Sequence, residues 1–282
     1  MSKKEKSKIK LVKKSFTGEL YDSNVILSKI PIIHRGWISK EKINEFNILL
    51  NELEKYLSLE QLKLVYRNIA NVKVKKLNLI DLLTVEGYYD SVKKEICYNE
   101  RTLSHEFLHM ASSIYSKATD VSFSGLSQWD CKTKIGTGIN EGYTELLNER
   151  IFCDSEISDV YIEEKCFARM LELFFDNPLD MMNYYFGCDL PGFIKYFEKF
   201  MPREDFIKLL IEIDNYCFLS CNGIPFLDVM LSKIYKKIYE VFVNSNPSSE
   251  KIKKMETIIF EDLYMYEKFK INGKKLVKKN DK

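Results

Sequence analysis

No apolar run in this chain approaches the roughly 20 residues that a bilayer-spanning helix needs. The basic opening MSKKEKSKIKLVKK is not followed by the apolar stretch and small-residue cleavage site of a secretory leader. Both absences lead to the expectation of a cytoplasmic protein, with export by an unrecognised route left open. Cysteine is neither dense nor even in number. The seven (Cys97, Cys131, Cys153, Cys166, Cys188, Cys217 and Cys221) are scattered along 282 residues, which excludes a small disulfide scaffold and predicts reduced thiols. Cys217 and Cys221 lie four apart, but no second Cys or His pair accompanies them, so they are expected to be buried as small hydrophobes. Histidine is scarcer still, with three in the chain. Internal repeats are absent, as is low-complexity sequence outside the lysine-rich ends.

A large excess of one charge is also missing, since the net charge is only +2. Its distribution is uneven. Residues 1–14 hold seven Lys against one Glu and residues 268–282 hold seven Lys against one Asp, so the body between these ends carries about −10. Such tails can attract nucleic acid or acidic membrane surface, but in a chain rich in Lys, Ile and Asn their expected role is solubility. No nucleic-acid partner and no membrane span are expected, and the oligomeric state is left open.

With 45% hydrophobic and 13% aromatic residues the chain can bury a full core. Ile43, Phe46, Leu49, Leu50 and Leu53 recur at helical spacing over Lys40 to Tyr56, with Ser39 as a cap, and a second helix is predicted from Leu59 to Ala70. Val72 and Val74 alternate with lysines. Thr84 to Tyr89 and Val92 to Tyr98 read as strands joined by a turn at Asp90 and Ser91. From Thr102 the pattern is helical almost to the end. Leu103, Phe107, Met110 and Ile114 predict a helix of about four turns, an irregular segment follows over 120–138, and a new helix opens near Asn140. Further helices are predicted at 158–175, 178–186, 191–200, 203–218, 224–244 and 248–268.

The chemistry is carried by Ser104-His105-Glu106-Phe107-Leu108-His109. On a helix, His105 and His109 sit one turn apart and can share one metal ion, while Glu106 is rotated by about 100° and can reach a water there. A catalytic zinc usually takes three protein ligands and keeps one position open. The remaining histidine, His34, reads as a structural or surface residue, so a carboxylate is expected as the third ligand. Gly138-Ile139-Asn140-Glu141-Gly142-Tyr143-Thr144-Glu145 offers one, with Asn140 as helix cap and Glu141 and Glu145 on one face. Glu141 is assigned to the metal, and Glu145 to the N–H of a ligating imidazole. Phe123 to Gln128 is either a cleft-lining segment or a plain connecting loop.

His-Glu-x-x-His on one helix and Asn-Glu-Gly opening the next resembles the gluzincin metallopeptidases, which include thermolysin-like enzymes and zinc aminopeptidases. The resemblance covers residues 85–152. It implies one zinc per chain held by His105, His109 and Glu141, Glu106 as general base, and Glu145 as the acidic residue one turn after the third ligand. The interval from His109 to Glu141 is longer than in either family. The aminopeptidases' Gly-x-Met-Glu-Asn motif is missing, and no later histidine can stabilise an oxyanion. A tyrosine must then take that role; Tyr143, Tyr184 and Tyr185 are candidates, and Tyr185 is assigned.

The expected fold class is α+β and predominantly helical. A basic mobile tail (1–20) precedes a zincin-like domain with a small sheet (21–152), then a helical domain (153–268) and a basic tail (269–282). The expected activity is zinc-dependent hydrolysis of a peptide or protein substrate. Three alternatives stay open: a narrow-specificity regulatory protease acting on a repressor-type protein, a zinc-bearing binding protein without turnover, and an effector or toxin with a single host substrate, against which the missing export signal counts. Retention of Glu106 counts against the second, because a purely structural zinc site has no use for a base.

Overall fold

A computed structural model describes residues 40–77, 87–99, 101–130, 132–152, 161–224 and 227–279. The expectations for residues 1–20, Ser39, His34, Cys131 and Cys153 lie outside these residues. The protein is α+β and mostly helical, with small sheets. Among the described residues no helix is long and apolar enough to cross a membrane.

Two compact units interleave along the sequence, the first drawn from Met1–Gly125, Leu147–Ser155 and Tyr185–Cys188 and the second from the remainder. The first unit contains α1 (Lys40–Leu53), α2 (Leu59–Ile69), β1 (Lys73–Lys76), β2 (Tyr88–Asp90), β3 (Glu95–Tyr98), α3 (Leu103–Ala111), β4 (Ser113–Ser116) and β5 (Val121–Ser124). Helix α2 starts at a reciprocal cap: Ser58 Oγ accepts from Gln61 N at 3.4 Å, and Gln61 Oε1 accepts from Ser58 N at 2.8 Å. Its face Leu62, Val65 and Ile69 is buried.

The sheet runs β1-β3-β2, with β1 parallel and β2 antiparallel to the central β3, so among the described residues β2 forms an edge. All of β3 is buried. The turn from β2 to β3 is built by Asp90, whose Oδ1 accepts from Val92 N and Lys93 N at 3.0 and 2.8 Å. Phe46 packs edge-on against Phe107 at 5.2 Å, bringing the face of α1 onto α3.

The helix carrying the histidines is shorter than its periodicity implies. It ends at Ala111 after nine residues, and Ile114 lies in β4. Ser112 turns its hydroxyl back onto Leu108 O at 2.8 Å, and the buried Asn68 amide donates to Met110 O and Ser113 O at 2.8 Å each. These bonds satisfy carbonyls that a longer helix would have used, and the following Ser-Ile-Tyr-Ser pairs with β5. The irregular segment expected over 120–138 is likewise corrected, since residues 113–135 carry four short strands. There β4 and β5 pair in the first unit, and β6 (Ser127–Trp129) and β7 (Lys134–Ile135) pair in the second. Phe123 to Gln128 is thus strand and turn, not an open loop.

The second unit holds α5 (Ile162–Glu172), α7 (Leu190–Phe197), α8 (Arg203–Cys221), α9 (Asp228–Asn244), α10 (Ser249–Glu261) and α11 (Leu263–Lys268). Helices α4 (Thr137–Phe152) and α6 (Pro178–Phe186) begin in it and end in the first unit. Its core is aromatic: Phe197 stacks on Phe206 at 4.2 Å, and Phe174 meets both Phe197 and Phe242 edge-on or tilted near 5 Å. The single helix expected over 248–268 is broken at Asp262, whose extended backbone stops α10 and whose carboxylate caps α11 by accepting from Met265 N at 3.0 Å. The basic tail expected from 269 is a hairpin over most of its length, β8 (Phe269–Asn272) with β9 (Lys275–Lys278), held down by buried Phe269 and Leu276. Residues 280–282 lie outside the described part.

Candidate metal centre

Helix α3 is buried along its whole length, although four of its nine residues are polar. Ser104, His105, Glu106 and His109 are 8%, 6%, 5% and 7% exposed. Taking three ionisable side chains out of water on one short helix is costly unless they meet partners or a metal. The geometry shows what the two imidazoles have in common. His105 Nε2 and His109 Nε2 face each other at 3.0 Å, with the rings inclined at 70°. Two nitrogens bound to one tetrahedral metal at 2.0–2.1 Å would stand about 3.3 Å apart, close to the observed spacing.

Glu141 of α4 completes the group. One ligating atom from each of His105, His109 and Glu141 lies within 4.8 Å of the others, and among the described residues this is the one cluster of three such side chains. Two imidazole nitrogens and a carboxylate oxygen form a donor set suited to zinc or a similar divalent ion. The three residues expected from the sequence to share a metal are therefore brought together. Compared with protein-family models, curated proteins and solved structures, the chain matches none.

Glu106 lies beside His105 on α3 and is buried with it. The backbone of Gly87, just before edge strand β2, comes so close that a Cβ there would stand 2.9 Å from Glu106 Oε1 and 2.5 Å from Thr102 Oγ1. Glycine thus lets the start of β2 run past the carboxylate without a side chain in between. Glu145, one turn after Glu141, is 5% exposed, as a residue that orients a ligand requires and a surface carboxylate would not be.

The tyrosines separate by environment. Tyr143 is fully buried and its hydroxyl donates to Glu172 Oε1 at 3.5 Å, so it is engaged away from Glu141. Tyr184 sits among Phe175, Phe193 and Tyr196, with its hydroxyl pKa pushed up by burial and by the charges of Asp189 and Asp180. Tyr185 is fully buried near the end of α6, against the edge of Phe186 at 4.9 Å. Cys217 is buried and Cys221 exposed, which corrects the expectation that both are core residues; neither joins a three-ligand group.

Helix α4 is held at its start by contacts the sequence did not disclose. Gly136 has φ +81°, and a Cβ there would meet Leu126 O at 2.2 Å, so only glycine fits. The helix begins at Thr137 and not at Asn140. Instead of capping, Asn140 lies in the first turn, where its Oδ1 accepts from Leu126 N at 2.9 Å. Asp214 Oδ1 and Oδ2, from α8, accept from Gly138 N and Gly136 N at 2.8 and 2.7 Å. Farther in, a Cβ on Gly138 would stand 2.5 Å from Cys217 Sγ, and one on Gly142 would stand 2.1 Å from Glu164 O. The Glu164 carboxyl is pushed up chiefly by burial, with the charges of Glu163 and Glu141 adding to the effect. The one sequence signal for Asp214 was an acid set beside the apolar positions Leu210, Ile213 and Cys217 of α8.

Proposed function

We propose that this protein is a metal-dependent peptidase of the gluzincin type, with His105, His109 and Glu141 as ligands of one zinc ion. The observation that carries this reading is the convergence of those three side chains, two of them buried on one helix turn with Nε2 atoms 3.0 Å apart. Zinc held there would act as a Lewis acid, lowering the pKa of water toward neutrality and polarising a carbonyl. Glu106 is the base: its carboxylate takes a proton from the attacking water and returns it to the leaving amine. Glu145 holds the N–H of a ligating imidazole and fixes its tautomer. Tyr185 is assigned as donor to the oxygen that becomes negative at the scissile carbon. Among the described residues β2 is the outer strand of its sheet, and an extended peptide pairing along it would pass Gly87 at its start.

A binding protein with an inert metal site is the weaker reading, because such a site has no need of an acid as deeply buried as Glu106. The test is incubation of the zinc-loaded and the chelator-treated protein with a proteome-derived peptide library, scoring new termini by mass spectrometry. Cleavage that appears only with metal is expected. New termini that persist at the same level after complete metal removal would contradict the reading.

A further inference from the structure

Helix α4 opens without a cap of its own. Gly136, immediately before its first residue, has no side chain, Thr137 Oγ1 is buried without a hydrogen-bond partner, and Asn140 Oδ1 is committed to Leu126 N. The first N–H groups of a helix need acceptors when buried. Here they come from Asp214, 78 positions from Gly136 and on a different helix: Oδ2 accepts from Gly136 N at 2.7 Å and Oδ1 from Gly138 N at 2.8 Å. Burial pushes the Asp214 carboxyl up in pKa, while the N–H groups of Gly138, Gly136 and Thr137 and the Lys134 charge oppose the shift. A carboxylate at this end also complements the helix dipole.

Glu141 lies four residues beyond Thr137, about 6 Å along the axis at 1.5 Å per residue. Whatever fixes the first turn of α4 therefore fixes the backbone that aims Glu141. We infer that Asp214 is a positioning residue for the metal centre, acting through the first turn of α4 to hold the Glu141 carboxylate toward His105 and His109. This inference rests on the metal-site reading above and adds a residue outside the motif. A general fold contact at Asp214 would affect stability whatever stands at position 141. A positioning role predicts instead that its effect on metal binding passes through Glu141.

The test is Co2+ titration of the metal-free full chain, followed by the visible absorption bands that report coordination geometry, with thermal unfolding measured alongside. Asp214→Asn keeps the shape but offers one acceptor atom in place of two; Asp214→Ala removes both. In an otherwise native chain, Asp214→Asn is expected to weaken Co2+ binding about tenfold and Asp214→Ala to weaken it further. In a Glu141→Ala background, where two imidazoles remain, neither change should weaken binding again. Should Asp214→Ala fail to fold, Asp214→Asn carries the comparison. Native Co2+ affinity in Asp214→Asn, or an equal loss in both backgrounds, overturns the inference while leaving the metal site standing. Absence of Co2+ binding by the native chain overturns the metal reading, and this inference with it.

Discussion

Glu106→Gln is expected to bind zinc as the native chain does and to lose peptide hydrolysis by about a hundred- to ten-thousand-fold, the usual contribution of a positioned general base. The substitution is nearly isosteric, so the tight approach of Gly87 to this side chain is kept. It removes the proposed proton acceptor and leaves His105, His109 and Glu141, the group that could hold a metal ion, untouched. The measurement is initial-rate hydrolysis beside metal content. A fully active variant would show that another group takes the proton.

The second large effect concerns a residue with no part in the chemistry. Replacing a mid-helix glycine by alanine ordinarily stabilises a helix by about 1 kcal/mol. At Gly142 the opposite is expected, because the added Cβ would stand 2.1 Å from Glu164 O and 2.2 Å from Glu164 C, which are backbone atoms that cannot rotate away. Overpacking against a rigid wall costs about 1–3 kcal/mol or more, so the clash outweighs the propensity gain. Gly142→Ala should lower the midpoint of thermal unfolding by several degrees or more. It should also reduce metal affinity, since the turn that must shift carries Glu141. A more stable variant with unchanged metal binding would mean that α4 and α5 are not packed as described.

Much of this was legible in the sequence where one local signal decided the outcome. The helix over 178–186 opens with a proline at its first position, and its limits matched. His105 and His109 could be placed together because helical spacing alone makes residues four apart neighbours. Elsewhere two local signals competed. Ile114 continued the apolar series of α3 eleven positions after Leu103, yet the flanking Ser113 and Tyr115 suit a strand, and Asn68, 42 residues from Met110, supplied bonds that end the helix. Asn140 carried a cap signal but bonds Leu126 N, a partner fixed by tertiary structure. Asp214 lay beyond reach for the same reason: its partners are 76 and 78 positions away, and no local pattern records them. The lysines at 268–279 suggested a tail because charge dominated the composition, while Phe269 and Leu276 were enough to seat a hairpin.

The central claim is that one metal ion is shared by His105, His109 and Glu141, and elemental analysis of the purified 282-residue chain tests it most directly. The native chain should carry about one zinc per molecule, and His109→Ala and Glu141→Ala should each lose most of it while remaining folded. Zinc absent from all three, or retained in full by His109→Ala, would contradict the account.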